Sequence, residues 1–225
     1  MTGDVILGSL CTAHPLALPV LHDLGCVIGA STDPIETCCA TGNIVVTDLE
    51  AAIERAEDEV ASSWPIGARI EESLDALLDQ VVRVFHRPFV QRVATLVEAL
   101  GAAQESTPHA SWSKLRSELA ELAADLTQHI EMEERVVFPW IRSRNASVSA
   151  HQTIRALELE HADAIQHLLE IDARAQRCLA ESNADSRAKT AIAALRQFER
   201  WLCEHIHVEG NSLFPRVLRA DLARR

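Results

Sequence analysis

The sequence predicts an all-α protein: an antiparallel four-helix bundle preceded by a small helical, cysteine-containing N-terminal domain. Three observations lead there. From Ile70 onward, four long stretches place apolar residues every three or four positions. Short polar segments, GAAQESTP, SRNASVSA and AESNADS, punctuate them. Alternating, strand-like runs are scarce, and four helices with short connections pack most simply as an antiparallel bundle. The 225 residues are 48% hydrophobic and 24% charged, enough apolar surface to bury a core.

The division into elements follows composition. Six of the eight glycines and four of the six cysteines lie at or before Gly67, so residues 1–66 read as a small turn-rich domain and residues 67–225 as the bundle. Within the first part, Thr47 and Glu50 form a capping box that opens a short helix ending before Trp64-Pro65. Within the second, Thr107-Pro108 offers a cap with proline at the first helical position, and Ser149 with Gln152 a further capping box.

Charge and hydropathy exclude some functions. A net charge of -12 argues against a surface that tracks phosphates, so nucleic acid is not an expected partner. No apolar run reaches the roughly 18 residues of a membrane span, and the N-terminus, MTGDVILGSLCTAHPLALPV, lacks the basic start of a signal peptide. The chain therefore reads as cytoplasmic and its cysteines as reduced thiols. The adjacent pair Cys38-Cys39 suits redox or metal-handling chemistry better than a structural bridge; Cys178 and Cys203 read as buried packing thiols.

Two of the four apolar stripes carry both a histidine and a glutamate. In the second helix Leu119, Leu122, Leu126, His129, Glu133 and Val137 advance by three or four; in the fourth, Leu195, Phe198, Leu202, His205, Glu209 and Leu213 do the same. Both sit in an internal repeat, H-I-x-x-E-x-x-x-x-F-P, which begins at His129 and again at His205. The other two helices each add one inward histidine at nearly equal intervals before these: His86 on the stripe of Leu74, Leu78 and Val82, and His161 on that of Ile154, Leu157 and Ile165. An ionised glutamate in such a stripe is costly unless a cation or hydrogen bonds meet it.

Four imidazoles and two carboxylates exceed the needs of one tetrahedral zinc and suit two metals that share the glutamates. Iron is the favoured metal: two iron ions in an oxo- or hydroxo-bridged di-iron centre, with His86, His129, Glu133, His161, His205 and Glu209 as the metal ligands. Each iron then keeps one position open for O2, NO or release of the iron itself. Pro139 and Pro215 are expected to bend or end their helices after each glutamate, and Pro88 to kink or end the first. His14, His22, His109, His151, His167 and His207 read as surface or structural residues, His207 facing away from His205.

These motifs resemble the RIC (repair of iron centres) family, the iron-sulfur cluster repair di-iron proteins. The bundle is similar to their hemerythrin-like domain, with all six ligand positions and both Phe-Pro steps present. HPLALPVLHDLG followed by TCCATGN is similar to their short Cys-Cys domain, with CVIGASTDPIE inserted between the Leu-Gly step and the cysteines. The resemblance implies repair of iron-sulfur proteins damaged by nitrosative or oxidative stress, by iron donation or by binding NO and reducing it to nitrous oxide, an oxidoreductase activity. Damaged iron-sulfur proteins, and NO or O2, are the partners implied; a homodimer is compatible. Cys38 and Cys39 would assist delivery or electron transfer. Three alternatives differ in class. A hemerythrin-like O2/NO carrier or sensor usually adds a histidine where Ile165 stands; a ferritin-like site would use Glu158-His161 and Glu204-His207; a metal-free interaction bundle would bind no ion.

Overall fold

The computed structural model describes residues 5–63, 74–143, 150–183 and 185–222. Among them every regular element is a helix, with one isolated antiparallel bridge between Ile6 and Pro34. Four helices come first: the short α1 (Leu7–Ala13), α2 (Ala17–Asp23) and α3 (Ile35–Thr41), then the longer α4 (Val46–Ser63). The first bundle helix comprises α5 (Leu74–Val81), a π-helical segment (Val82–His86) and α6 (Phe89–Ser106). The second comprises α7 (Ala110–Met132), a π segment (Glu133–Val137) and α8 (Phe138–Ser143). The third is the unbroken α9 (Ala150–Glu181), and the fourth is α10 (Ser186–Val208), a π segment (Glu209–Leu213) and α11 (Phe214–Leu222).

The bundle closes as a ring: α6 packs on α7 and α10, and α9 packs on α7 and α10. Its core is the apolar stripe of each helix, for example Ile154, Leu157, Ile165, Leu168 and Ala175 of α9, all buried. Near one end, the fully buried Trp112 donates its indole N–H to Ser182 Oγ at 3.0 Å and ties α7 to the end of α9.

Helix ends differ in detail from expectation. Thr107 closes α6, its N–H donating to Ala103 O at 3.0 Å, so His109 caps α7 instead, with Nδ1 accepting from Ser111 N at 3.3 Å. Helix α4 begins at Val46, one residue ahead of the Thr47 capping box, because the Val45 carbonyl already accepts from Asp48 and Leu49, and it ends at Ser63, before Trp64-Pro65 as expected. The domain boundary at 66/67 and Ser149 lie outside the described residues.

Pro139 and Pro215 do not end their helices, whereas at Pro88 a turn over Arg87 and Pro88 interrupts the first, as expected, before α6 begins at Phe89. Each of Pro88, Pro139 and Pro215 stands two residues beyond a π segment. Proline lacks the N–H for the carbonyl four residues back and its ring crowds that oxygen. Those carbonyls belong to Val84, Arg135 and Asn211, the middle residue of each π segment. Widening the turn moves the carbonyl aside: Phe138 N–H returns to Glu133 O, Phe214 N–H to Glu209 O and Arg87 N–H to Val82 O.

The N-terminal helices lie on the bundle's flank, α1 against α9, and α2 and α4 against α10. Gly8 permits the close approach. A Cβ there would sit 2.9 Å from Gln166 Oε1 and 3.0 Å from Ser31 O, while Gln166 Nε2 donates to Gly8 O at 3.1 Å. Gly8→Val should therefore destabilise the fold by about 1–3 kcal/mol through overpacking, read as a lower urea midpoint, whereas Gly101→Ala, with open space around it, should not lower it.

Candidate metal centre

Each bundle helix delivers its polar residues from the core stripe. His86 ends the first π segment, His129 lies in the last turn of α7, and His161 lies midway along α9; His205 lies in the last turn of α10. Glu133 and Glu209 open the second and third π segments. Both glutamates are fully buried and the four histidines nearly so. The structure thus brings all six sequence-selected residues to one place.

They form two overlapping groups, His86-His205-Glu133-Glu209 and His129-His161-Glu133-Glu209. Glu209 Oε1 lies 3.0 Å from His205 Nε2, and its Oε2 lies 3.2 Å from His161 Nε2. Glu133 Oε2 faces His86 Nε2 at 3.3 Å and His129 Nε2 at 3.5 Å. Each carboxylate therefore reaches both histidine pairs, as a bridging ligand must. The pairing runs across the repeat: each group takes one histidine from each half of the chain.

The donor set fits cations. Nε2 of His86 and His205 and all four glutamate oxygens are buried without a hydrogen bond. Leaving one buried charge uncompensated costs on the order of 3–5 kcal/mol, so two fully buried carboxylates demand positive charge. Burial opposes ionisation of Glu209, but His205 and His161 outweigh it and hold the carboxyl well below the usual range.

A family model for the hemerythrin HHE cation-binding domain matches residues 77–217. The chain belongs to this family. It is similar along nearly its whole length to iron-sulfur cluster repair proteins. It is 32% identical to the iron-sulfur cluster repair protein YtfE of Dickeya chrysanthemi, covering 97% of this chain and 98% of that one. With YtfE of Pectobacterium carotovorum identity is 27% over 97% and 98%. With a probable iron-sulfur cluster repair protein of Haemophilus influenzae it is 26% over 94% and 96%.

Around the HHE cluster stands a second layer that sequence reasoning missed. Glu134 accepts from His86 Nδ1 at 2.9 Å and Glu160 from His129 Nδ1 at 2.6 Å. Each such bond fixes the tautomer and turns the Nε2 lone pair inward. Both acids adjoin a residue of the cluster in sequence, Glu134 after Glu133 and Glu160 before His161, the signal that was available. Aromatic rings hold three imidazoles face to face: Phe85 on His205 at 4.9 Å, Phe138 on His86 at 5.5 Å and Phe214 on His161 at 5.7 Å. The Phe of each Phe-Pro step thus positions a histidine of its own half.

Other candidates fall elsewhere. Glu158 is exposed, beside Arg155, and His207 is buried against Asn211, its Nδ1 3.0 Å from Asn211 Nδ2, so the ferritin-like pairs do not converge. Burial lowers the His207 pKa. Ile165 is buried and supplies no further imidazole. All six cysteines are free and buried. Cys38 and Cys39 lie in α3, outside the cluster, and burial pushes the Cys39 thiol up to about 11. No described helix is long and apolar enough to cross a membrane.

A cavity of about 530 Å³ reaches the centre from one side, with His129 and His161 in its wall. Its outer lining includes the exposed Asp125, Glu160 and Asp163, together with Gln128 and the half-buried His167.

Two outcomes follow. Glu134→Gln and Glu160→Gln should each weaken metal binding about 10–100-fold, measured by competition with a chromophoric chelator. In the metal-free centre, burial, the largest influence, lowers the pKa of His86 and His129, but Glu133, Glu209 and their outer carboxylates outweigh it and the net shift is upward from 6.5. Protons therefore begin to compete with metal above pH 6.5, and affinity should fall as pH drops, approaching about a factor of 10 per unit for each imidazole that must lose a proton. Chelator competition across pH 6–8 reads this slope.

Proposed function

We propose that the protein restores damaged iron-sulfur proteins by delivering iron from a di-iron centre held by His86, His129, Glu133, His161, His205 and Glu209. The similarity to iron-sulfur cluster repair proteins supports the client class. The observation that carries delivery is the cavity, which leads from His129 and His161 to a carboxylate rim of Asp125, Glu160 and Asp163. A rim of negative charge draws a divalent cation and does little for a neutral diatomic.

Two iron ions sharing carboxylates supply a ferrous store that is held yet exchangeable. The protein's part is to hold and release. Glu133 and Glu209 neutralise and bridge; the four imidazoles anchor without adding charge. Glu160 contacts both His129 and the cavity. A proton or cation captured there weakens its hold on the His129 ring, so the outer acid links the ligand to the exit path.

The test uses full-length protein loaded with isotopically labelled ferrous iron and mixed with a dehydratase whose [4Fe-4S] cluster has lost iron. Label should pass to the dehydratase and restore its activity. Glu133→Ala with Glu209→Ala should abolish loading and repair, while Asp125→Asn with Asp163→Asn should keep the iron and slow transfer about tenfold, the loss expected when charges that focus a cation are removed. Label that stays on the protein while NO is consumed and nitrous oxide appears would replace this reading with NO reduction.

A further inference from the structure

A second buried cluster lies where the N-terminal helices meet the bundle. His22 comes from the last turn of α2, Asp172 from α9 and Glu199 from α10. Asp172 and Glu199 have fully buried side chains, and that of His22 is 5% exposed. From sequence alone His22 reads as a surface or structural residue, and neither acid stands out.

We propose that His22, Asp172 and Glu199 form a further metal site, separate from the HHE centre, which takes one divalent first-row transition-metal ion and fastens α2 to the bundle.

The geometry carries this. His22 Nε2 lies 3.3 Å from Asp172 Oδ1 and 3.3 Å from Glu199 Oε2. Neither contact is a hydrogen bond: both ring nitrogens of His22 and all four carboxylate oxygens are buried without a partner. A protonated imidazole docked on carboxylates would instead show short, aligned bonds of about 2.7–2.9 Å. Separations near 3.3 Å are those between ligand atoms on a tetrahedron whose metal bonds are about 2.0–2.2 Å long. The HHE centre shows the same signature, with histidine Nε2 to glutamate oxygen distances of 3.0–4.0 Å and carboxylate oxygens without a hydrogen bond. Arg196 influences Glu199 electrostatically but donates to neither carboxylate, and its Nε is itself unpartnered.

One imidazole and two carboxylates leave a fourth position for water, a donor set that zinc, cobalt or ferrous iron accepts. His22 and Glu199 each have an exposed neighbour in a clamp: Arg200 donates to both oxygens of Asp23, at 2.8 and 2.7 Å. The exposed pair is open to screening by salt; the buried cluster makes the same junction dependent on metal. Burial opposes protonation of His22, but the negative charges of Asp172 and Glu199 outweigh it and draw its pKa up to about 9, while burial pushes Glu199 up to about 7. Binding a cation would release protons.

Crystals of the wild-type protein equilibrated with zinc and, separately, cobalt should give an anomalous peak within bonding distance of His22 Nε2, Asp172 and Glu199, distinct from any peak at the HHE centre. In solution, cobalt should bind to the Glu133→Ala, Glu209→Ala protein at about one ion per chain with the intense visible bands of a four-coordinate site, and His22→Gln in that background should remove it. Should the double variant not fold, His22→Gln and Asp172→Asn in the wild-type chain should each lower total cobalt by one ion. An absent anomalous peak, or cobalt content unchanged by His22→Gln, would overturn the site and leave a protonated ion triad. Neither result depends on whether the HHE centre delivers iron.

Discussion

Two carboxylates buried in a helical core are the constraint on which the rest depends. Glu133 and Glu209 are cut off from water and make no hydrogen bond, so they are tolerable only beside positive charge. Four imidazoles around them add donors without adding fixed charge, which leaves the cluster a receptor for cations rather than a closed salt bridge. The remaining features serve to hold those six side chains at separations of 3.0–4.0 Å.

Precision at that scale comes from three layers. Outer carboxylates, Glu134 and Glu160, set two tautomers. Aromatic faces of Phe85, Phe138 and Phe214 fix three ring planes. The backbone contributes through its π segments, which accommodate a proline in the first, second and fourth bundle helices and still return a phenylalanine to the cluster. A single repeated letter pair, Phe-Pro, thus does two jobs: the proline forces the wide turn and the phenylalanine packs on the histidine.

The N-terminal helices belong to the same design through contact with α9 and α10, the elements that also carry His161 and His205. Gly8 against Gln166 and His22 against Asp172 and Glu199 place the module's docking one to three turns along the same helices. The cysteines in this module are packed and protonated, so its visible contribution is mechanical and electrostatic.

The sequence by itself determined the helical class, the four stripes and the six polar residues that the fold gathers into one buried cluster. An interval of three or four residues places side chains on one helix face whatever surrounds it, and a duplicated His-Glu pattern on an apolar face has few other physical explanations. It did not reveal how the histidines pair. His86 joins His205 and His129 joins His161 because the first π segment and α6 neighbour α10 while α7 neighbours α9, an adjacency set by the ring of packed helices. The same holds for His22: nothing local marks it, since its partners lie in helices far along the chain. Those residues acquire chemistry only when packing removes water and brings α2, α9 and α10 together, a non-local event that no window of sequence contains.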